Sequence, residues 1–263
     1  MNPISPLYEQ NGFTSHITAY RPISPNGSLI IYHDGHDGYT MSDAVPIQRF
    51  LANGYTVWRV DMPLIGNNKE PVWLDLPRIG RVPITQHEEM IFLYDMTTGS
   101  PVRYFIEPVI AAVNLAQLKG YKNIFMVGLS GGGWTTTVVA AIDPRITASY
   151  PVAGSVPMAM HFDHYKKNWG DWKQVVPDMY HIASYEDLYI MGSYKRSQIQ
   201  VLNEFDICCF NEPRYVLYEP AIQDVLKSVG GEFDVFWAKG DIIHWACPAA
   251  VDRILDDMRL RSK

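Results

Sequence analysis

The chain has 263 residues, of which 47% are hydrophobic and 19% charged, with a net charge of −6. This composition excludes a disordered chain, and a chain of this size buries a core without help from disulfides or metal. The acidic balance argues against nucleic acid or a membrane surface as partner, and no apolar run approaches the roughly 20 residues of a membrane span.

Met1-Asn2-Pro3-Ile4-Ser5-Pro6 has no basic stretch leading into an apolar one. No signal peptide is therefore expected, and cytoplasm is the default compartment, with secretion left open. Residues 16–20 predict an antiparallel edge strand, and the run Leu29-Ile30-Ile31-Tyr32 predicts a buried strand. A helix over 43–53 stops at Gly54, and a strand follows over 55–60. After a long connection, 63–100, Ile106, Val109, Ile110, Val113 and Leu118 mark the inner face of a helix over 102–119. A strand over 123–129, a helix over 133–141 and a strand over 146–152 come next. Residues 154–198 are rich in Trp and Tyr and predict a lid-like insertion. The chain closes with strands over 199–203 and 233–238 and helices over 215–229 and 249–260. This alternation predicts a single α/β domain spanning the whole chain. Its doubly wound, mostly parallel sheet would carry helices on both faces, with the insertion placed before the strand that bears the acid.

Gly128-Leu129-Ser130-Gly131-Gly132 directly follows an apolar strand and opens a helix. A serine on such a sharp turn projects its hydroxyl at the sheet's carboxyl edge, and small neighbours let strand and helix approach. A P-loop is excluded because no Gly-Lys-Ser/Thr follows, and the contiguous glycines do not suit a dinucleotide site. A serine nucleophile needs a base, and the base needs an orienting group. Downstream histidines are His161, His164, His181 and His244. Only His244 sits between the last predicted strand and the last helix, where the base belongs. Asp206 lies just past the strand 199–203 and is the expected acid, with Glu204 and Asp241 as competitors.

The oxyanion donors are expected from the backbone N–H of Gly131 and from the loop His33-Asp34-Gly35-His36-Asp37-Gly38, through Asp34, Gly35 or His36. Metal ligation by His33, Asp34, His36 and Asp37 is disfavoured for want of a distant partner ligand. Predicted substrate contacts are Trp134 beside the elbow, His33, His36 and Trp172. The aromatics of His161-Phe162-Asp163-His164-Tyr165 and Trp169-Gly170-Asp171-Trp172 suit either a sugar ring or packing of the insertion. His87 could line the cleft or sit on a solvated helix. Three cysteines, Cys208, Cys209 and Cys247, form no C-x-x-C pair. A bridge from Cys247 to Cys208 or Cys209 would tie the acid and base loops, while buried free thiols are the commoner outcome.

With these residues in place, 28–260 resembles the α/β-hydrolase superfamily. The resemblance rests on His33-Asp34-Gly35 after a strand, the elbow at Ser130, Asp206 and His244. Within the superfamily it looks most like serine esterases acting on carbohydrate or polyester acyl groups. It departs from the family pattern in having Asp34 where many members carry glycine. The resemblance implies attack by Ser130 on an acyl carbonyl, proton transfer by His244, a small-molecule or glycan ester as substrate, and no cofactor. The alternatives are a peptidase, thioesterase or lipase with the same triad, or a catalytically silent binding module of this fold.

Overall fold

In a computed structural model, residues 2–95, 99–161 and 168–262 are described. Ten strands form: β1 (Asn2–Gln10), β2 (Phe13–Tyr20), β3 (Leu29–His33), β4 (Thr56–Val60), β5 (Val72–Leu76), β6 (Gly80–Ile84), β7 (Ile124–Leu129), β8 (Ala148–Val152), β9 (Ser197–Asn203) and β10 (Glu232–Ala238). Eight of them make one sheet in the order β1-β2-β4-β3-β7-β8-β9-β10. The pairs β1/β2 and β2/β4 are antiparallel, and all pairs from β4 to β10 are parallel. β3, β4, β7, β8 and β9 are buried at every position. This is why β3 and β7 read as continuous apolar runs rather than as alternating ones.

The helices are α1 (Met41–Ala52), α2 (Arg103–Leu118), α3 (Gly131–Ile142), α4 (Pro177–Tyr180), α5 (Tyr185–Ser193), α6 (Glu219–Val229) and α7 (Pro248–Arg261). α1 packs on α7, where Arg49 reaches the Pro248 carbonyl and the Asp252 carboxylate. α2, α3, α5 and α6 pack in succession on the other face. Thr40 begins α1 with a reciprocal capping box to Asp43, and Ser184 does the same for α5 with Asp187.

Three sequence expectations change. Residues 16–20 do pair antiparallel, but inside the sheet, because β1 takes the edge. Pro3 and Pro6 hide β1 in the sequence, yet proline is tolerated on an edge strand, and the pairing shifts register between Ile4 and Tyr8. The helix expected over 215–229 begins at Glu219, with Pro220 in its first turn, and Pro213–Leu217 is a 3-10 turn. Residues 154–198 are not one lid. α5 packs on α3 and β9 and is the crossover between β8 and β9, which leaves only the stretch before it as an insertion. The other long connection folds into the β5–β6 hairpin and a 3-10 helix, His87–Asp95.

Candidate active site

The elbow is built from three close approaches. Ser130 has φ 57° and ψ −123°, a region that L-residues avoid, and its N–H donates to the Val152 carbonyl at 2.8 Å. A methyl group on Gly128 would lie 2.2 Å from the Gly132 carbonyl oxygen, and one on Gly132 would lie 2.1 Å from the His33 carbonyl oxygen. The glycines at 128 and 132 are therefore steric requirements of the strand–turn–helix crossing. The amide of Gly131, first residue of α3, belongs to the helix turn without intrahelical acceptors, at the positive end of the helix dipole.

Half-buried Ser130 and His244 line one cavity of about 940 Å³. Its walls include Gly35, His36, Asp37, Ile207, the Cys208–Cys209 pair and Trp169. His244 Nδ1 lies 2.9 and 3.0 Å from the two carboxylate oxygens of Asp206. Asp206 Oδ1 also accepts the amides of Cys208 (2.8 Å) and Cys209 (3.2 Å), and Oδ2 accepts Asn203 Nδ2 (3.1 Å). Burial pushes the Asp206 carboxyl up, but the bond to His244 and these donors outweigh it and hold it below the usual range. A carboxylate on Nδ1 leaves Nε2 as the proton acceptor facing the cavity, where it lies 3.9 Å from Cys209 Sγ.

Neither competing acid touches His244. Glu204 accepts the Gly240 amide, and Asp241 accepts Trp245 Nε1 and the Ile243 amide, so both shape the loop instead.

Several expected site residues lie elsewhere. Asp34 is not an oxyanion donor, because its N–H continues the sheet to the Val60 carbonyl at 3.2 Å. Its carboxyl is fully buried with Asp61 and Asp43 around the single Arg59 guanidinium. Burial first, then the Asp61 and Asp43 carboxylates, push it up to about 10. Its cation contact is Arg59 Nε, 3.4 Å from Oδ2. Gly35 does reach the site, since a methyl there would lie 2.9 Å from Ser130 Cβ.

His33 is buried, with Nδ1 against the Asp34 carbonyl, and burial lowers it to about 4. It is a core residue and not a substrate contact. Trp134 is likewise fully buried, because α3 is enclosed on nearly all sides, and its Nε1 donates to Tyr180. Trp172 is half-buried, donates to the His87 carbonyl and packs on Phe105, away from the cavity, which takes Trp169 instead. His36 lines the cavity. Phe162, Asp163, His164 and Tyr165 lie outside the described residues.

No bridge joins the acid and base loops. Cys208 and Cys209 are bonded to each other, and Cys247 is a buried free thiol at the start of α7. His33, Asp34, His36 and Asp37 form no ligand cluster among the described residues. The two groups of potential metal ligands are Cys208, Cys209 and His244, and His36, His87 and Asp171.

The second group was not legible in the sequence. Asp171 Oδ2 lies within hydrogen-bond distance of His87 Nδ1 (2.9 Å), His36 Nε2 (3.2 Å) and the Lys173 ammonium, while His87 Nε2 meets the Pro63 carbonyl at 2.8 Å. Burial would raise the Asp171 carboxyl, but the ring nitrogens and the ammonium gathered on it outweigh this and hold it far below its usual range. Lys173 is fully buried, and burial lowers it to about 8. Burial and the nearby Lys173 charge also lower His36.

The fold as a whole has counterparts among solved structures. Methylesterase BT1017 superposes with a TM-score of 0.68 at 18% identity, covering 95% of this chain and 52% of that one. Est1E from Butyrivibrio proteoclasticus gives 0.59 at 14% identity, covering 95% and 97% of the two chains. The chain has the α/β-hydrolase fold. In sequence, residues 107–205 match the family described as PhoPQ-activated pathogenicity-related protein. Autocrine proliferation repressor protein A of Dictyostelium discoideum is 26% identical over 159 residues, 59% of this chain. The chain spans about a quarter of the length of that curated relative (25%). The family match spans the residues of the elbow and ends just before Asp206. No helix among the described residues is long and apolar enough to cross a membrane.

Proposed function

We propose that the chain is a serine carboxylic ester hydrolase in which Ser130 attacks the acyl carbonyl. The observation that carries this reading is the Asp206–His244 pair opening onto the same cavity as a serine held at positive φ at the head of α3. His244 Nε2 takes the Ser130 proton as Oγ bonds to the carbonyl carbon. The oxyanion then faces the amides of Gly131 and Gly35, an arrangement worth about 3 kcal/mol per donor. Collapse expels the alkoxide, which takes the proton from His244, and water repeats the sequence on the acyl-enzyme.

The alcohol is read as a polar one, in the class of carbohydrate esters. Asp37 and Ser42 supply hydrogen-bonding groups along one wall, and Ile207, Phe210 and Ile243 make an apolar wall for a short acyl group. The similar structures include a methylesterase and, at a comparable TM-score, a peptidase, so hydrolysis rates decide between ester and amide chemistry.

A fluorophosphonate probe should modify the protein stoichiometrically, and Ser130→Ala should abolish labelling. Hydrolysis rates across acetylated sugars, p-nitrophenyl acetate and peptide anilides should favour the esters. Folded protein that neither labels nor hydrolyses any of these would leave the fold as a silent binding module.

A further inference from the structure

His36 makes two polar contacts among the described residues, both through Nε2: Lys173 Nζ at 3.1 Å and Asp171 Oδ2 at 3.2 Å. Nδ1 has no hydrogen-bond partner among those residues, and the ring forms part of the cavity wall. The Nδ1–Cε1 edge packs on the elbow, since a methyl group on Gly131 would lie 2.6 Å from Cε1 and 3.0 Å from Nδ1. The neighbouring Gly35 covers Ser130. The imidazole edge thus stands beside the α-carbon of Gly131, the residue whose amide is the expected oxyanion donor.

The tautomer follows from counting donors and acceptors. Asp171 Oδ2 already takes the Lys173 ammonium, and His87, whose Nε2–H is spent on the Pro63 carbonyl, donates to it from Nδ1 only as the imidazolium. Lys173 Nζ is fully buried, lies over the Phe105 ring at 4.3 Å, and has only Asp171 Oδ2 and His36 Nε2 as polar partners among the described residues. A buried ammonium left with a single acceptor is costly, so Nε2 serves it best as a lone pair. The ring proton of neutral His36 then sits on Nδ1, on the edge beside Gly131.

Building on the serine hydrolase reading above, we infer that the His36 side chain is a catalytic residue, an oxyanion donor through Nδ1–H. Lys173, held by Asp171, is the positioning residue that fixes its tautomer. This gives the buried cluster of Lys173, Asp171 and His87 a function that the triad alone does not use.

The test compares His36→Ala with His36→Asn, whose side-chain amide can occupy the Nδ1 position. With p-nitrophenyl acetate, His36→Ala should lose about 100-fold in kcat with little change in KM, and His36→Asn should recover most of that loss. The rate of fluorophosphonate labelling should fall in parallel. Nitrogen-15 NMR of the histidine rings should find the His36 proton on Nδ1 in the wild type and a tautomer mixture in Lys173→Met. A kcat for His36→Ala within threefold of wild type, or a proton on Nε2, would overturn the inference and leave Ser130 chemistry standing. A wild type inert to both probes would instead overturn the hydrolase reading, and the assignment of His36 with it.

Discussion

Asp206→Asn is the sharpest perturbation of the site because the structure fixes what each new atom meets. Oδ1 accepts two amides, from Cys208 and Cys209, so the asparagine carbonyl takes that side. Its NH₂ group then replaces Oδ2, which now accepts Asn203 Nδ2 at 3.1 Å and His244 Nδ1 at 2.9 Å. Donor meets donor at Asn203, whose own N–H groups keep the Ile243 and Trp245 carbonyls, so the N–H of the new amide that faces it is left unsatisfied at about 1–3 kcal/mol. That corresponds to a fall in melting temperature of several degrees for a chain of this size, with the protein still folded at 25 °C. At His244 the new donor favours a lone pair on Nδ1 and a proton on Nε2, the nitrogen that must receive the Ser130 proton. The expected loss in kcat is about 10,000-fold, or roughly 5 kcal/mol of barrier, far beyond what the stability change explains. Steady-state hydrolysis of p-nitrophenyl acetate, read beside a thermal melt, measures both. An Asp206→Asn protein retaining a tenth of wild-type kcat would refute the assignment of Asp206 as the group that orients His244.

Two further outcomes are expected. Gly132→Ala places a methyl carbon 2.1 Å from the His33 carbonyl oxygen, backbone against backbone. It should cost about 3 kcal/mol or more and appear as a melting temperature many degrees lower; a melt matching wild type would contradict the packing described at the elbow. Asp34 titrates near 10 when folded and from its ordinary 3.8 when unfolded, so the folded state holds a proton that the unfolded chain has released across that window. Its contribution to stability is full below pH 4 and declines as pH rises toward 10. Asp34→Asn, which cannot ionise, should therefore gain stability relative to wild type between pH 5 and 9 in denaturant titrations, whereas parallel curves would show that Asp34 is ionised in the folded protein.

The parts of the site legible in the sequence are those set by a few adjacent residues. The elbow is local: an apolar strand, a serine and small neighbours leave one way for β7 to turn into α3. The loops carrying Asp206 and His244 were placed by their order after strands, since the carboxyl ends of parallel strands share one edge. Side-chain direction was less accessible. Trp134 adjoins the elbow in sequence but sits on a helix enclosed by the sheet, α2 and α5, so its ring turns inward. The loop sequence His33-Asp34-Gly35 does not reveal that β3 still pairs at Asp34, which removes that amide from the oxyanion site. The cluster of His36, His87, Asp171 and Lys173 joins residues up to 137 positions apart. It exists only because the two long connections fold against each other, and no periodicity signals that. The bond between Cys208 and Cys209 was hidden because adjacent cysteines give no spacing to read.

The tether from the Ser130 amide to the Val152 carbonyl continues sideways: Ala153 donates to Val201, and Glu204 donates to Ala238. The ends of four neighbouring strands are thus stitched like the treads of a staircase, with the proposed nucleophile on one step and the loop of Asp206 leaving from another. The hydroxyl's address is consequently inherited from its neighbours. Deleting one residue from β8 would displace the rail by about 3.3 Å and invert its faces, disarming the serine without altering any residue that touches an ester.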